Sequence, residues 1–440
     1  MPSVIVLGAQ WGDEGKGKVV DYLTENAELV VRFQGGNNAG HTVIVEGKKT
    51  ALRIIPSGIL RPKTRCLLAP GVVLDPEVFN LEVKSLRENG ITISPERLGI
   101  AAEIPLVLPY HRALDIEQER LREKYGRQIG TTGKGIGPTY EDMVSRNGIR
   151  VYDLTDPIRL RELVTSNVAI KNKILKHVLE SEIQFDADEI LDNLTRQAAE
   201  VIPLITNVSM ELDKAKKRGA LICFEGAQGS LLDIHHGTYP YVTSSCLVSA
   251  YACASSGYSP KNIDYIVGIT KAYATRVGEG PFPSEDTTAD GDKLRSVGKE
   301  FGTVTGRPRR CGWIDMVALK KAIRISGLES LLVTKLDVLS GFKKIKIAVE
   351  YHVNGRQLDD LPVSSRELEK VQVKYEELDG WDLDITKVKC HADLPEAVKN
   401  FLKRIEQISQ IPICGFSVGP ERHQTIISDN NLIKSCGIKL

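Results

Sequence analysis

Residues 4–21 combine glycines and charged side chains in a pattern that could bind a phosphate. The segment reads VIVLGAQWGDEGKGKVVD. Its apolar run predicts a buried strand that ends at Gly8, and the residues from Val19 onward resume with the spacing of a helix. A loop between strand and helix presents backbone N–H groups and a helix N-terminus to an anion. An acidic turn is the plainer interpretation, but it explains three glycines poorly, so we predict nucleotide binding.

This loop departs from the usual phosphate-binding pattern, which asks for Gly, four residues, then Gly-Lys-Ser/Thr. Gln10 stands where the first glycine is expected, and Gly17 rather than a hydroxyl residue follows Lys16. That hydroxyl normally holds Mg²⁺. Another ligand must replace it here, and Asp13 is the nearest candidate.

Three further loops contain residues suited to polar ligands. The loop at 34–42 follows an apolar run and carries a lone histidine, His41, for which structural and functional roles both stay open. The threonines and lysine of 130–139 favour contact with an anion over a flexible linker. In 303–310, three arginines and two threonines could form a solvated turn, but guanidinium groups match carboxylates and phosphates, so we favour an anionic ligand.

The segment Lys335-Leu336-Asp337 follows an apolar strand-like run. A carboxylate just after the end of such a strand can accept hydrogen bonds from the N1–H and the exocyclic amine of guanine, which adenine cannot offer. A buried polar group left unpaired by the wrong base can reject that base by roughly 10⁴-fold. The small-residue loop at 417–419 could flank such a base. The adjacent His235 and His236 point in different directions on most backbones, so we do not expect a metal pair there.

Composition narrows the class of protein. The chain has 440 residues, of which 42% are hydrophobic and 26% charged, with a net charge of +1. This balance argues against a sequence-blind nucleic-acid binder, and no apolar run approaches the roughly 20 residues of a membrane span. The N-terminus enters a strand directly, which leaves no room for a targeting peptide. Eight scattered cysteines without CxxC or zinc spacing fit a reducing, cytoplasmic setting.

The fold class predicted from these patterns is α/β, with a mostly parallel central sheet flanked by helices and a P-loop-like GTP-binding architecture. Apolar positions recur at helical spacing through residues 156–218, which predicts a helical insert. We expect β structure at 343–390, a helix at 313–326 and a short strand at 105–108. No linker breaks the chain, so residues 1–440 are expected to form one domain.

Eight motifs follow one another in order along the chain: WGDEGKGK, GGNNAGHT, GTTGKGIGPTYED, FEGAQG, GTYPYVTSS, VTGRPRRCGW, TKLDVL and SVGPER. Together they resemble the adenylosuccinate synthetase family over essentially the whole chain. The resemblance implies a ligase that joins IMP and L-aspartate with GTP and Mg²⁺, through a 6-phosphoryl-IMP intermediate, releasing GDP and phosphate in the first committed step from IMP to AMP.

The resemblance also implies catalytic roles. Asp13 is expected to take the N1 proton of IMP, Lys16 to offset charge on the transferring phosphoryl group, and His41 to act as acid, with Gln228 completing the set. Such a proton transfer typically contributes about 10²–10⁴ in rate. Mg²⁺ is expected on Asp13 and the carbonyl of Gly40.

The same matching implies three binding sets. GTP is expected at Gly12, Asp13, Glu14, Gly15, Lys16, Gly17, Lys18, Gly40, His41, Thr42, Arg309, Lys335, Leu336, Asp337, Ser417, Val418 and Gly419. IMP is expected at Asp13, Glu14, Gly15, Lys16, Asn38, Ala39, Gly40, His41, Thr132, Arg146, Gln228, Thr243 and Arg307. Aspartate is expected at Thr303, Val304, Thr305, Gly306, Arg307, Pro308 and Arg309.

Arg146 matches a family position that reaches the IMP site of the neighbouring subunit, so the resemblance implies a homodimer. The rival hypothesis is a GTP-dependent switch, which would sense nucleotide without turning over a second substrate. A switch needs one nucleotide site, and the loops at 130–139 and 303–310 exceed that need. We therefore favour the synthetase, with no nucleic-acid or membrane partner.

Overall fold

The computed structural model describes residues 2–45, 48–302, 306 and 308–428, with the backbone alone for 41–45, 48 and 49. Its strands are β1 (Ser3–Gly8), β2 (Leu29–Arg32), β3 (His41–Val45), β4 (Lys48–Leu52), β5 (Arg65–Leu68), β6 (Leu98–Ala101), β7 (Ile205–Thr206), β8 (Ile222–Glu225), β9 (Tyr265–Lys271), β10 (Tyr273–Arg276), β11 (Arg310–Asp315), β12 (Ser330–Thr334), β13 (Lys344–Val353), β14 (Arg356–Leu358), β15 (Gln372–Asp379), β16 (Ile413–Ser417) and β17 (Thr425–Ile427).

The helices are α1 (Lys16–Leu23), α2 (Pro76–Glu88), α3 (Pro109–Lys124), α4 (Ile136–Ser145), α5 (Pro157–His177), α6 (Ala187–Val201), α7 (Val208–Lys217), α8 (Ser249–Ser256), α9 (Ala289–Gly298), α10 (Met316–Ser326), α11 (Ser365–Leu368) and α12 (Glu396–Ser409). Asp75 followed by Pro76 predicts a helix start from the sequence, and α2 begins there. The Asp75 side chain caps α2 by accepting a hydrogen bond from the Val78 N–H at 3.2 Å. No helix in the described part of the chain is long and apolar enough to cross a membrane.

A ten-stranded sheet forms the centre of the molecule, in the order β17-β16-β12-β9-β1-β8-β2-β5-β6-β7. Its neighbours pair in parallel except β16 and β17, which are antiparallel. Every residue of β1 is buried, as expected for a parallel strand covered on both faces. The predicted α/β class with a mostly parallel sheet flanked by helices is confirmed.

A second, five-stranded sheet contains β10, β11, β13, β14 and β15, and β3 pairs with β4 as an antiparallel hairpin. The predicted β structure at 343–390 corresponds to β13–β15. The predicted helix at 313–326 begins too early, because residues 313–315 belong to β11 and Asp315 caps α10. Trp313 and Ile314 are buried and pair as strand residues, with Tyr273 of β10 and Ile347 of β13, which explains the error.

Two other expectations need correction. Residues 105–108 form isolated bridges instead of a strand, because Leu74 and Arg150 each pair there at a single position. Residues 156–218 contain α5, α6 and α7, but they also supply β7, which pairs with β6 at the edge of the main sheet. The segment predicted as a helical insert is therefore part of the central sheet as well.

Candidate active site

The sheet order arranges the glycine-rich loops around β1. In a parallel sheet the carboxyl ends of the strands share one edge, and ligands bind there. β9, β12 and β16 lie on one side of β1, and β8 and β2 lie on the other. The loop after β1 therefore lies between two groups of loops, those that follow β12 and β16 and those that follow β8 and β2.

The loop between β1 and α1 is built around the carboxylate of Glu14, which is fully buried. Its Oε1 accepts hydrogen bonds from the backbone N–H groups of Gln10 at 3.1 Å and Gly12 at 2.8 Å. A side chain at Gly8 would place its Cβ 2.5 Å from Glu14 Oε2, so this glycine is required for the carboxylate to fit. Glu14 thus shapes the loop from inside.

Lys16 and Lys18, which the sequence pattern placed in the loop, lie in the first turn of α1, and both are buried and already partnered. Lys16 Nζ donates to Glu14 Oε2 at 2.5 Å. Lys18 Nζ donates to the carbonyl of Gly419 at 2.7 Å, which joins the phosphate loop to the segment after β16. Burial lowers the pKa of Lys18 to about 8, partly opposed by the negative charge of Asp337. Lys16 is the first residue of α1, so the helix begins three residues earlier than the sequence predicts, and the contact of Lys16 with a phosphoryl group stays a prediction.

Asp13 occupies a left-handed backbone conformation, with φ of 59°, and 32% of its side chain is exposed. Its Oδ2 lies 2.9 Å from Nε of Arg309, as an ion pair rather than an aligned hydrogen bond. The second nitrogen of Arg309, Nη1, donates to Oε2 of the buried Glu300 at 2.6 Å. The structure therefore brings together Asp13 and Arg309, two residues that the sequence analysis assigned to one site.

The segments after β12 and β16 meet beside α1. Thr334 Oγ1 donates to the Glu14 carbonyl at 2.7 Å, and the Lys335 N–H donates to Ser417 Oγ at 3.2 Å. Asp337 Oδ1 is buried without a hydrogen-bond partner among the described residues, and burial raises the pKa of this carboxyl. Lys335, Asp337, Ser417 and Gly419, the predicted guanine-binding residues, thus lie together, with one acceptor left open for a ligand.

On the other side of β1, the segment after β8 ends at Gln228. Its side-chain nitrogen and oxygen are both buried without a partner among the described residues. The backbone is left-handed, with φ of 53°, and an added Cβ at Gly35 would lie 3.1 Å from the amide oxygen. Gly35 follows β2, so the amide lies between two loops. An orphaned buried amide is costly unless a ligand satisfies it.

Asn38 and Thr243 also lie together on this side, because Asn38 Nδ2 donates to Thr243 Oγ1 at 3.5 Å. The loop at 130–139 approaches them, since an added Cβ at Gly137 would lie 3.1 Å from Ser244 Oγ. Thr132, in the same loop, is exposed. The residues predicted to contact IMP are thus drawn from three separate loops that lie near one another.

Comparison with known proteins places this arrangement in a family. The family model described as adenylosuccinate synthetase matches residues 5–426. Adenylosuccinate synthetase of Anaeromyxobacter sp. (strain Fw109-5) is 46% identical, and that of Geotalea daltonii 48% identical, each alignment covering 98% of this chain and 99% of the relative. The chain belongs to the adenylosuccinate synthetase family.

A solved structure agrees with this assignment to the synthetase family. The fully ligated adenylosuccinate synthetase from Plasmodium falciparum superposes with a TM-score of 0.92 at 35% identity, covering 97% of this chain and 99% of that one. Membership confirms the predicted activity, a GTP-dependent ligase that forms a C–N bond between IMP and L-aspartate in purine biosynthesis. It favours the synthetase over the rival switch.

Several residues expected to act in this synthetase fall outside the part of the chain that the structure describes. They are Thr303, Val304, Thr305 and Arg307, together with the side chains of His41 and Thr42. Of the same arginine-rich loop, Gly306 and Pro308 are exposed. Arg146, at the C-terminal end of α4, is exposed in a left-handed conformation with φ of 66°.

The synthetase site also depends on residues that the sequence analysis missed. Glu300 precedes the arginine-rich loop and is fully buried among positive charges. Arg32, at the end of β2, is fully buried and donates to the carbonyls of Gln34 and Gly36 at 3.2 and 3.1 Å, which fixes the start of the loop at 34–40. A charged residue at the end of an otherwise apolar strand was the available signal for Arg32, whereas no local signal pointed to Glu300.

The donor set fits Mg²⁺. Magnesium keeps several waters and is usually held by one or two carboxylates together with substrate phosphates. Asp13 offers a partly exposed carboxylate in the phosphate loop, and Gly40 is exposed with no atom within 4 Å of an added Cβ. The described residues contain no cluster of three His, Cys, Asp or Glu side chains that could hold a metal on its own.

Proposed function

We propose that the loop after β1 transfers the γ-phosphoryl group of GTP to the 6-oxygen of IMP, and that the aspartate amine then displaces phosphate from C6. The 6-oxygen is a poor leaving group until it is phosphorylated. In the first step GDP leaves as the new P–O bond forms. In the second step a C–N bond forms, the C–O bond breaks, and phosphate departs with the purine oxygen.

We assign the proton transfers to two residues. Asp13 takes the N1 proton of IMP, which makes the 6-oxygen a stronger nucleophile. His41 hydrogen-bonds the phosphoryl group and acts as acid when phosphate leaves. Lys16 leaves Glu14 in part to offset the charge of the transferring group. Asp13 and the Gly40 carbonyl hold Mg²⁺, which supplies neutralisation of the phosphate charge when bound.

The observation that supports these roles best is the position of two unsatisfied groups on opposite sides of β1. Asp337 Oδ1 and the amide of Gln228 are buried without hydrogen-bond partners among the described residues. Asp337 belongs to the β12 and β16 side, where a guanine N1–H and amine would satisfy it. Gln228 belongs to the β8 and β2 side, where hypoxanthine and its ribose phosphate would lie. One phosphate loop between two nucleoside sites suits phosphoryl transfer between nucleotides.

The remaining assignments concern aspartate, the dimer and the cell. We assign the aspartate carboxylates to the arginine-rich loop, residues 303–309, with Arg307 shared with IMP. Exposed Arg146 reaches the IMP site of a second copy, which makes the enzyme a homodimer. The whole chain acts as one domain, and it works in the cytoplasm with no nucleic-acid or membrane partner.

Omitting substrates one at a time tests the reaction. Purified protein is mixed with Mg²⁺, GTP, IMP and aspartate, and phosphate release is followed with each component left out. We expect release only when all three substrates and the metal are present. Phosphate release from GTP alone, at the rate of the complete mixture, would contradict the proposed reaction.

A further inference from the structure

Glu300 is the centre of a buried ionic network. Its side chain is fully buried. Oε1 accepts hydrogen bonds from Lys271 Nζ at 2.9 Å, from Lys335 Nζ at 2.6 Å and from the Tyr273 hydroxyl at 2.5 Å. Oε2 accepts one from Arg309 Nη1 at 2.6 Å. Three cations and one hydroxyl therefore converge on a single carboxylate.

Its electrostatics keep this carboxylate ionised. Burial alone would raise the pKa of Glu300, but Lys271, Lys335 and Arg309 together hold it well below its usual range. A buried ion pair is weak evidence for stability, because well-packed apolar residues often stabilise a fold as much or more. The network therefore calls for a reason other than stability, and the positions of its members supply one.

Each cation of the network comes from a different part of the site. Lys271 ends β9, Lys335 follows β12, and Arg309 precedes β11. Lys335 has a left-handed backbone with φ of 61° at the turn into the guanine-reading segment. That conformation is unfavourable for a non-glycine residue and persists only when its surroundings hold it. Glu300 and the Gly298 carbonyl hold the Lys335 ammonium, the latter at 2.9 Å.

Arg309 connects the network to the proposed base. One guanidinium nitrogen contacts Glu300 and another lies 2.9 Å from Asp13 Oδ2. The planar guanidinium is rigid, so fixing one edge on Glu300 limits where the other edge can lie. Glu300 itself makes no contact with Asp13 among the described side chains, and it acts through Arg309.

We propose that Glu300 is a positioning residue that fixes Arg309 beside Asp13 and Lys335 beside the guanine segment, as one rigid unit. This inference rests on the proposed roles of Asp13, Arg309 and Asp337. It predicts an asymmetry between the substrates. The GTP and aspartate sites depend on Glu300, whereas the IMP residues Gln228 and Asn38 make no hydrogen bond with the network in the part of the chain that the structure describes.

Glu300→Gln tests the proposal, because it keeps the shape and the acceptor oxygen but removes the charge. We expect KM for GTP and for aspartate to rise and kcat to fall, each at least about tenfold, with KM for IMP within about twofold of wild type. Glu300→Asp keeps the charge with a shorter reach, and it should restore part of the loss. Tyr273→Phe is the matched control, since it removes one hydrogen bond to the same Oε1 without changing any charge.

The outcomes separate this proposal from the proposed reaction. Glu300 would only support the fold if Glu300→Gln raised the three KM values equally and if Glu300→Gln and Tyr273→Phe both lowered thermal stability. Kinetics of Glu300→Gln within about twofold of wild type would also overturn the proposal. If Glu300→Gln fails to fold, the same measurements on Glu300→Asp decide, and wild-type KM values for GTP and aspartate together with wild-type kcat in that variant overturn it. Failure of the proposed reaction would instead appear in the wild type, as phosphate release without IMP or aspartate.

Discussion

The Nε of Arg309 lies 2.9 Å from Oδ2 of Asp13, so the proposed base is paired with a cation before any substrate binds. An ionised carboxylate has two oxygens with about four lone-pair positions, so this contact leaves Asp13 able to take a proton or to bind a metal. Phosphate and aspartate carboxylates both suit a guanidinium, and we expect them to compete with Asp13 for Arg309 when the substrates bind.

Asp13→Asn keeps the size of the side chain and removes its ability to accept a proton from IMP. We expect kcat to fall by about 10²–10⁴, with the melting temperature unchanged because the side chain is partly exposed. Phosphate release in the complete mixture and thermal unfolding measure the two effects. More than a tenth of the wild-type kcat in a folded variant would remove Asp13 as the base.

Asp337→Asn should change which base the enzyme reads. The amide loses one acceptor for the guanine N1–H and amine, and it gains a donor that suits the second carbonyl of xanthine. We expect kcat/KM for GTP to fall by at least about 10²-fold and that for XTP to rise. The measurement is phosphate release with GTP, ITP and XTP. Ser417→Ala, which loses only the hydroxyl that accepts from the Lys335 N–H, is the control, and an unchanged preference for GTP in Asp337→Asn would place guanine reading elsewhere.

Two buried glutamines offer a matched comparison of binding and stability. Gln34 satisfies both ends of its amide, with Nε2 donating to the Ala227 carbonyl at 2.9 Å and Oε1 accepting from the Ala227 N–H at 3.3 Å. Gln228 satisfies neither among the described residues. Gln34→Met should therefore lower the free energy of unfolding by about 1–3 kcal/mol, whereas Gln228→Met should leave it unchanged or slightly raised.

The Gln228→Met variant also tests whether this amide binds IMP during catalysis. Gln228→Met should lower kcat/KM for IMP by roughly 10²-fold, because the amide has no hydrogen-bond partner among the described residues and is available to the ligand. Urea unfolding and initial rates with varied IMP are the measurements. A loss of stability in Gln228→Met comparable to that in Gln34→Met would show that the amide has a structural partner, and the assignment to IMP would then fail.

Lys18 should make the unliganded protein more stable as the solution becomes alkaline. Burial lowers its pKa from 10.5 to about 8, so folding disfavours the charged form. Below the folded pKa both states carry the proton and the full cost of burying the charge applies. Between the two pKa values the unfolded chain holds a proton that the folded chain has lost, so stability rises by at most about 1.4 kcal/mol per pH unit for this group.

Lys18→Met removes this contribution. Lys271 shares the same direction and an approximate pKa of 8, and burial also lowers the pKa of Arg276 to about 9, so the rise in stability should be smaller in Lys18→Met than in the wild type but should not vanish. Urea unfolding of wild type and Lys18→Met at several pH values measures the difference. Identical pH profiles for the two proteins would mean that Lys18 has its ordinary pKa in the fold.

Much of this site follows from local sequence. The apolar run of β1, the glycines after it and the segment at 335–337 each identify a strand end, and the parallel sheet gathers them at one edge. The resemblance to the family then supplied roles that spacing alone could not. Asp75 and Pro76 marked the start of α2, because helix caps depend on residues a few positions apart.

Long-range contacts account for what the sequence did not reveal. Glu300 contacts Lys271, Lys335 and Arg309, and no local pattern connects a carboxylate with cations 29 and 35 positions away. β7 pairs with β6 although a long helical stretch separates the two strands, so it was predicted as part of a helical insert. Trp313 was predicted to begin a helix because a short apolar run fits the pattern of a buried helix as well as that of a buried strand.

Mixing two inactive variants tests whether Arg146 works across a dimer. Arg146 is exposed and makes no ion pair with any other residue in the described ranges. If it reaches the partner's IMP site, Arg146→Leu and Asp13→Asn are each inactive alone. A mixed dimer of the two variants contains one site with both wild-type residues and one site with neither. After unfolding and refolding together in equal amounts, the mixture should recover about a quarter of the wild-type activity, because half of the dimers are mixed.

Controls make this outcome specific. Each variant refolded alone should stay inactive, and a mixture of Asp13→Asn with Lys16→Met should also stay inactive, because both residues belong to the same copy's loop. Sedimentation at the assay concentration establishes that the mixed species is a dimer. If the Arg146→Leu and Asp13→Asn mixture recovers nothing while sedimenting as a dimer, Arg146 serves the site of its own chain or none, and the shared site must be abandoned.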